Sequence, residues 1–526
     1  MTVSNDTYPK RHSLTRRDFL RLTAGAGALL AASDPRAGAV AERKPVDLEL
    51  ALRAQPEALA LFPGAPTRVW RYTAKVIQGD PASVSALPDT YLGPILRLRR
   101  GSRVRITLDN GLTEDTNVHW HGLHVPERMD GHPRDVARPG GQYVYEFEVR
   151  DRAGTYWFHP HTHGRTGAQI YQGLTGLLLV GDDAERALDL PDGAQDVPLV
   201  LQDRTLGSDN QFAYIEAGMP MMQRMMGFLG DRILVNGRPD FVLPVATRAY
   251  RLRLLNASSA RVYKLAWRDG TPLTVIATDG GLLARPVERP YVTLAPAERI
   301  ELWADFSGRR VGETLALESL PFAGGMAMGG GMMGRGGMMN GMMGGRLPNG
   351  AAFPVLTVRV ARQESESRRL PAQLATLAAA DARAAVNANA PRRFGLTMGQ
   401  MEWSINGRSF EMEAVARDEI VRLDTTEVWE FANDRARMMA MPHPLHVHGV
   451  QFRVLERSVA RGGEDAWNTV RAGYVDEGYK DTLLLMPGER ARVLLRFADY
   501  PGLFVFHCHN LEHGDMGMMR NYRVRA

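Results

Sequence analysis

The chain has 526 residues, 44% of them apolar and 23% charged, ordinary globular proportions that exclude a wholly disordered protein. At about 150 residues per domain the length suggests three or four domains, and with no run of about 20 apolar residues no membrane span is expected. The formal charge of +5 falls to about +2 once the first 39 residues, with six Lys/Arg and three Asp, are set aside, so composition gives no support to a nucleic-acid partner.

The N-terminus carries Thr15-Arg16-Arg17-Asp18-Phe19-Leu20-Arg21, then a short apolar stretch from Leu22 to Ala32, then Ala37-Gly38-Ala39. A charged region, an apolar region too short to span a bilayer and small residues for cleavage make a secretory signal. The paired arginines followed by Phe-Leu are similar to a twin-arginine signal. Residues 1–39 are therefore expected to be a signal peptide read by the twin-arginine export machinery, and the mature protein to be periplasmic.

Beyond the signal the chain reads as strands. Arg103–Leu108, Tyr143–Val149, Leu174–Val180, Tyr250–Leu255 and Arg490–Phe497 carry β-branched and aromatic residues in partial alternation, punctuated by Gly, Pro, Asn and Asp. The expected fold is all-β, built of β-sandwich domains. The expected boundaries are 45–190, 195–360 and 395–526, with 361–394 as a linker whose Ala-rich part, Pro371 to Ala390, is expected to be helical. Between the strand-like runs Thr314–Leu320 and Phe353–Val360, residues 324–345 hold 11 Gly and 8 Met in 22 positions. So much glycine cannot pack a core, and the segment is expected as a mobile loop inserted in the second domain.

Histidine placement carries the chemistry. His12 lies in the signal, seven histidines fall between His119 and His163, six between His443 and His513, and none between His163 and His443. Four short stretches contain His-X-His: His119-Trp-His-Gly122, His159-Pro-His-Thr-His-Gly164, His443-Pro-Leu-His-Val-His-Gly449 and His507-Cys-His-Asn-Leu-Glu-His513. On a strand, residues i and i+2 face the same side, so both imidazoles can reach one metal site. One such pair is weak evidence, because zinc hydrolases use it too. Four, two toward each end of the chain, point to a metal centre shared by the first and third domains.

The last stretch holds the only cysteine, Cys508, which excludes an internal disulfide. Flanked by His507 and His509, its thiolate faces the opposite side of a strand, so one strand can serve two sites. The thiolate side can join His443 and His513 with a long axial Met, the two-His, one-Cys arrangement of a blue copper site. Electrons can pass from the thiolate through two peptide units to the histidines on the other side.

In order and spacing these motifs resemble the multicopper oxidases over essentially the whole mature chain. The resemblance implies three cupredoxin-like Greek-key β-sandwich domains holding four copper ions, with one-electron oxidation of a substrate at type 1 copper and four-electron reduction of dioxygen to water at a trinuclear cluster. It implies His443, Cys508, His513 and axial Met518 at type 1 copper, with Met516 and Met519 close by. His119 and His446 would hold type 2 copper. His121, His159, His161, His448, His507 and His509 would hold the type 3 pair. It also implies a proton-relay role for Asp130, the alternative being a turn Asp before Gly131. Where some relatives have an acidic residue after the last histidine, this chain has Gly514, with Glu512 and Asp515 nearby. His124, His132 and His163 are expected to be supporting or surface residues.

Three methionine groups bear on the substrate, because thioether sulfur favours Cu(I). They are Met326, Met328, Met332, Met333, Met338, Met339, Met342 and Met343 in the Gly-rich loop; Met219, Met221, Met222, Met225 and Met226, alternatively an apolar helix face; and Met438, Met439 and Met441 before His443. The loop resembles those of periplasmic cuprous oxidases of copper-resistance systems, which makes Cu(I) the expected substrate. A laccase-like oxidase of phenols and aromatic amines, and a copper-sequestering protein, are the alternatives.

Overall fold

A computed structural model describes residues 45–215, 220–323, 347–399, 402–434 and 440–526. The signal over 1–39, the Met/Gly-rich segment 324–345 with its eight methionines, and Met219, Met438 and Met439 lie outside the described residues. Among the described residues no helix is long and apolar enough to cross a membrane.

Six sheets form three successive Greek-key sandwiches of the cupredoxin type, as the resemblance implies. The same device recurs in each. An early strand pairs in parallel with a later one: Leu48–Ala54 with Val104–Asn110, Asp196–Leu201 with Arg251–Asn256, and Arg392–Leu396 with Trp429–Asn433. The alternating patterns turn one face of each strand inward. Leu48, Leu50, Leu52 and Ala54 enter the first core together with Ile106, Tyr145 and Phe158. Leu252, Leu254, Ile300 and Leu302 fill the second core, and Trp429, Phe431, Leu495 and Phe506 the third.

The linker departs from expectation. No α-helix forms over 371–390; the only helical element there is the single 3-10 turn Ala382–Ala384. Alanine favours helix, but tertiary pairing wins over propensity. Leu374 is buried with Ala249 and Trp303, its N–H donates to the Ala284 carbonyl, and Val386 N–H donates to Thr426 O. The segment is irregular over 371–381 and a run of turns over 382–390, tied first to the second sandwich and then to the third.

Two strands carry the histidine stretches into the interior. In His119–His121 the histidines flank Trp120, which is fully buried in the first core. In Gly502–Cys508, Phe504, Phe506 and Cys508 join the third core, while Val505 sits on the other side with Phe410 and Met519. The period of two thus sends Cys508 and His507 to opposite faces of one strand.

Candidate metal centre

Pairing brings the four histidine stretches together. His119 lies opposite His159 in one ladder, and His446 opposite His507 in another. Across the seam between the first and third sandwiches, His119 Nε2 is 3.3 Å from His446 Nε2. His161 Nε2 is 3.1 Å from His507 Nε2, which is 3.2 Å from His448 Nε2. His121 Nδ1 is 3.3 Å from His159 Nε2, and the His509 ring lies 5.1 Å and 5.4 Å from theirs, centroid to centroid. The eight histidines expected at the cluster therefore fall into a pair, His119 and His446, and two trios, His121/His159/His509 and His161/His448/His507.

Only one of the four His-X-His pairs lies wholly on a single strand. His119 and His121 share one; His161, His448 and His509 lie just beyond the ends of theirs. A flat strand would hold imidazoles parallel, whereas leaving the strand after one ligand lets the next turn toward the common centre.

Six of the eight outer nitrogens are anchored, while the buried His161 Nδ1 has no hydrogen-bond partner among the described residues. His119 Nδ1–H donates to Asp130 O at 2.7 Å, His446 Nδ1–H to Asp481 O at 2.8 Å, and His159 Nδ1–H to Pro160 O at 2.9 Å. His507 Nδ1–H donates to Cys508 O at 3.0 Å and His448 Nδ1–H to the Asp130 carboxylate at 2.8 Å. Only His121 is reversed: Nε2 faces Asp481 Oδ1 at 3.0 Å and Nδ1 faces the cluster. A proton fixed on the outer nitrogen leaves a lone pair on the inner one. Burial pushes the His121, His159, His161, His448, His507 and His509 imidazoles well below the usual histidine range, neighbouring imidazoles adding to the effect for several, so they stay neutral. Facing lone pairs repel unless a cation lies between them. Spacings of 3.1–3.3 Å suit two nitrogens at about 2.0–2.1 Å from one first-row ion. Both ring nitrogens of His509, buried, have no hydrogen-bond partner among the described residues, which fits a metal donor.

On the other face of the Gly502–Cys508 strand, Cys508 Sγ lies 3.5 Å from His443 Nδ1 and 3.6 Å from His513 Nδ1, and the two nitrogens are 3.3 Å apart. Met518 is fully buried in the same core; its N–H donates to His513 O and its carbonyl accepts from Cys508 N. Met519 lies on the opposite face with Val505, and Met516 packs at the margin of the core. His443, Cys508, His513 and Met518 are at most 2% exposed. Burial lowers His443 to about 3 and pushes the Cys508 thiol up, so deprotonation of the thiol needs the metal. Two imidazoles, one thiolate and a thioether suit copper.

A short helix of the second domain, Pro220–Met226, covers this set. Met225 is buried in the third core, and its carbonyl accepts from both His513 Nε2–H and the Trp403 indole N–H at 3.1 Å. Trp403 lies 4.8 Å from the His443 ring and 4.7 Å from the His513 ring. The second methionine group is thus mixed: Met225 is core, Met226 packs against it, and Met221 is exposed. Met441 is buried in the same core, with its carbonyl accepting from Asn433.

Asp130 is buried beside the cluster, and burial raises its carboxyl. Around His513, Glu512 accepts from Tyr214 OH and Phe228 N–H, while Asp515 accepts from the Thr166 and Gly167 amides. His124 pairs with Asp151, His132 bonds Asn521, and His163 is exposed near Phe410. None of these three joins a ligand set.

Sequence reasoning missed Asp481 and Arg299. Asp481 touches both His121 and His446, and Arg299 grips its carboxylate with both terminal nitrogens. The one local signal was the glycine closing His119-Trp-His-Gly122: φ is +92° there, and a Cβ would lie 2.6 Å from Asp481 Oδ2 and 2.7 Å from Arg299 Nη2.

The chain is similar to several known proteins. Multicopper oxidase family profiles match residues 69–185 and 385–526. A laccase of Bacillus subtilis is 31% identical, covering 86% of this chain and 90% of its own. The multicopper oxidase mco of Staphylococcus haemolyticus is 31% identical, covering 82% of each. The crystal structure of the McoA multicopper oxidase of Aquifex aeolicus superposes with a TM-score of 0.74 at 31% identity, covering 92% of this chain and 97% of that one.

Proposed function

This chain belongs to the multicopper oxidase family, and on that premise we propose that it is a periplasmic cuprous oxidase serving copper tolerance, exported by the twin-arginine route. The balanced reaction is four Cu(I), one dioxygen and four protons giving four Cu(II) and two waters. Bound cofactor copper supplies one-electron oxidation at one set of residues and four-electron reduction of dioxygen at the other. His443, Cys508, His513 and Met518 would hold type 1 copper, His119 and His446 type 2, and the two histidine trios the type 3 pair.

The chain's own residues do the rest. Cys508 joins the sites covalently through its peptide neighbours, and its carbonyl accepts from His507 Nδ1–H, adding a hydrogen-bonded path. Asp130 orients His119 through its carbonyl and His448 through Oδ2, while Oδ1 makes no hydrogen bond among the described residues. That oxygen is our assignment for receiving and passing protons toward the cluster.

The observation that carries the cuprous reading is the cover over His513. Its outer nitrogen, the natural edge for a bulky aromatic donor, is taken by the Met225 carbonyl of a helix rich in methionine. A donor that binds thioether sulfur needs no open edge. The laccase reading has its own support: a cavity of about 230 Å³ is lined by Tyr214, Arg224, Glu512 and Asp515, and Glu512 precedes His513 in the chain. A sequestering protein would have no use for paired trios beside a thiolate site, and oxygen uptake with an electron donor would exclude it.

The test is oxygen uptake by the copper-loaded mature protein with Cu(I) and, in parallel, with a phenol, before and after deletion of 324–345. Loss of Cu(I) turnover with phenol turnover kept is the expected result. Strong phenol turnover with negligible, deletion-insensitive Cu(I) turnover would establish the laccase reading instead.

A further inference from the structure

Arg299, on the strand Arg299–Asp305 of the second sandwich, is fully buried, yet every one of its donors is matched. Nε donates to Thr155 O at 3.1 Å, in the first sandwich. Nη1 donates to Ala297 O at 3.0 Å and to Asp481 Oδ1 at 2.8 Å. Nη2 donates to Asp279 O at 3.0 Å and to Asp481 Oδ2 at 2.5 Å. Its own N–H donates to the Asp279 carboxylate. Five directed bonds from a planar fork fix the guanidinium, and the guanidinium fixes the plane of the Asp481 carboxylate.

That plane decides how His121 is presented. Asp481 Oδ1 accepts from His121 Nε2–H at 3.0 Å, while the Asp481 main-chain carbonyl accepts from His446 Nδ1–H at 2.8 Å. Among the anchored cluster histidines, His121 alone offers Nδ1 inward. With Oδ1 turned away, no carboxylate would hold the proton on Nε2, and the inward nitrogen could carry it and lose its lone pair. Thr482 Oγ1 also lies 3.3 Å from His121 Nε2, but it spends its hydrogen on Asp481 Oδ1 at 2.9 Å, and a hydroxyl oxygen alone is a weaker acceptor than a carboxylate.

We propose that Arg299 is a positioning residue for the trinuclear centre: acting through Asp481 from a domain that supplies no ligand, it selects the tautomer and orientation in which His121 binds copper. Gly122 is the accommodation on the first-domain side, since any side chain there would strike this pair. The inference rests on the reading that these histidines hold copper, so copper content of the unaltered protein is the control. Little cluster copper in that control would count against the reading itself rather than against Arg299.

The experiment compares holoprotein, Arg299→Lys and Arg299→Met by copper per chain, type 1 visible absorption and the type 2 paramagnetic resonance signal. Outer partners of ligating histidines are worth about 10–100-fold in metal affinity. Arg299→Met is expected to keep the type 1 absorption while losing cluster copper and changing the type 2 signal. Arg299→Lys, with one point charge in place of the fork, is expected to restore occupancy in part. Arg299→Met with full copper and an unaltered type 2 signal would overturn the proposal. If Arg299→Met loses the type 1 absorption too, Asp481→Asn decides: cluster-selective loss supports the proposal, and joint loss of both sites or no loss at either overturns it.

Discussion

The carbonyl of Cys508 accepts a hydrogen bond from Nδ1 of His507 at 3.0 Å, although their side chains point to opposite faces of one strand. The two metal sets are thus joined by the peptide bonds and by a bridge across them. Cys508→Ser is expected to lose the type 1 absorption and bring oxygen uptake to background. The cluster histidines should still load copper, seen as a retained type 2 resonance signal.

Asp130 holds His119 by its backbone and His448 by its side chain. Asp130→Asn keeps the first contact, and its amide oxygen can still accept from His448, but the carboxylate is gone. Oxygen reduction is expected to fall about 10–100-fold. Anaerobic reduction of the type 1 site by substrate, followed by stopped-flow absorption, should be unchanged.

Gly122→Ala sets a methyl group against the Arg299–Asp481 pair at a left-handed backbone position. The backbone strain alone is worth about 1–3 kcal/mol. The melting temperature should fall, and type 2 copper should be lost before type 1 copper on dialysis against a chelator.

Burial raises Glu512 from its ordinary 4.5 to about 7. In copper-free protein its contribution to stability is complete below pH 4.5, where folded and unfolded chains both hold the proton. The contribution is lost as pH rises through 7, because the unfolded chain gives up the proton first. Denaturant midpoints of the apoprotein should therefore decline over this window, and Glu512→Gln should flatten the decline.

Trp403 donates to the same carbonyl as His513. Trp403→Phe removes one of the two side-chain hydrogen bonds accepted by the Met225 carbonyl of the cover helix, a change of about 1 kcal/mol. Phenol turnover is expected to rise relative to Cu(I) turnover, measured as the ratio of the two oxygen-uptake rates.

The histidines and Cys508 that converge in the two clusters were legible because metal chemistry needs particular residue types at short spacing, and a strand's period of two separates Cys508 from His507. The sandwiches were legible through alternation in runs such as Tyr250–Leu255. Arg299 and Asp481 were not, because an arginine and an aspartate 182 positions apart carry no local pattern. The linker misled because alanine content speaks for helix, whereas Leu374 is held by pairing with Ala284.

The histidines that meet at the seam come from chain positions 327 and 346 residues apart, His119 with His446 and His161 with His507. A metal ion bridging them closes a loop that contains the entire second domain, and the entropic cost of closing such a loop grows only slowly with its length. Cys508, His509, His513 and Met518 follow all the other residues assigned to the copper sites in chain order. A chain ending just before Cys508 would keep two whole sandwiches and most of the third but could complete neither copper site. Copper held at the seam is therefore also a proofreading mark: only a chain that carries the His507–His509 stretch and has folded it back against the His119 and His161 stretches can hold it.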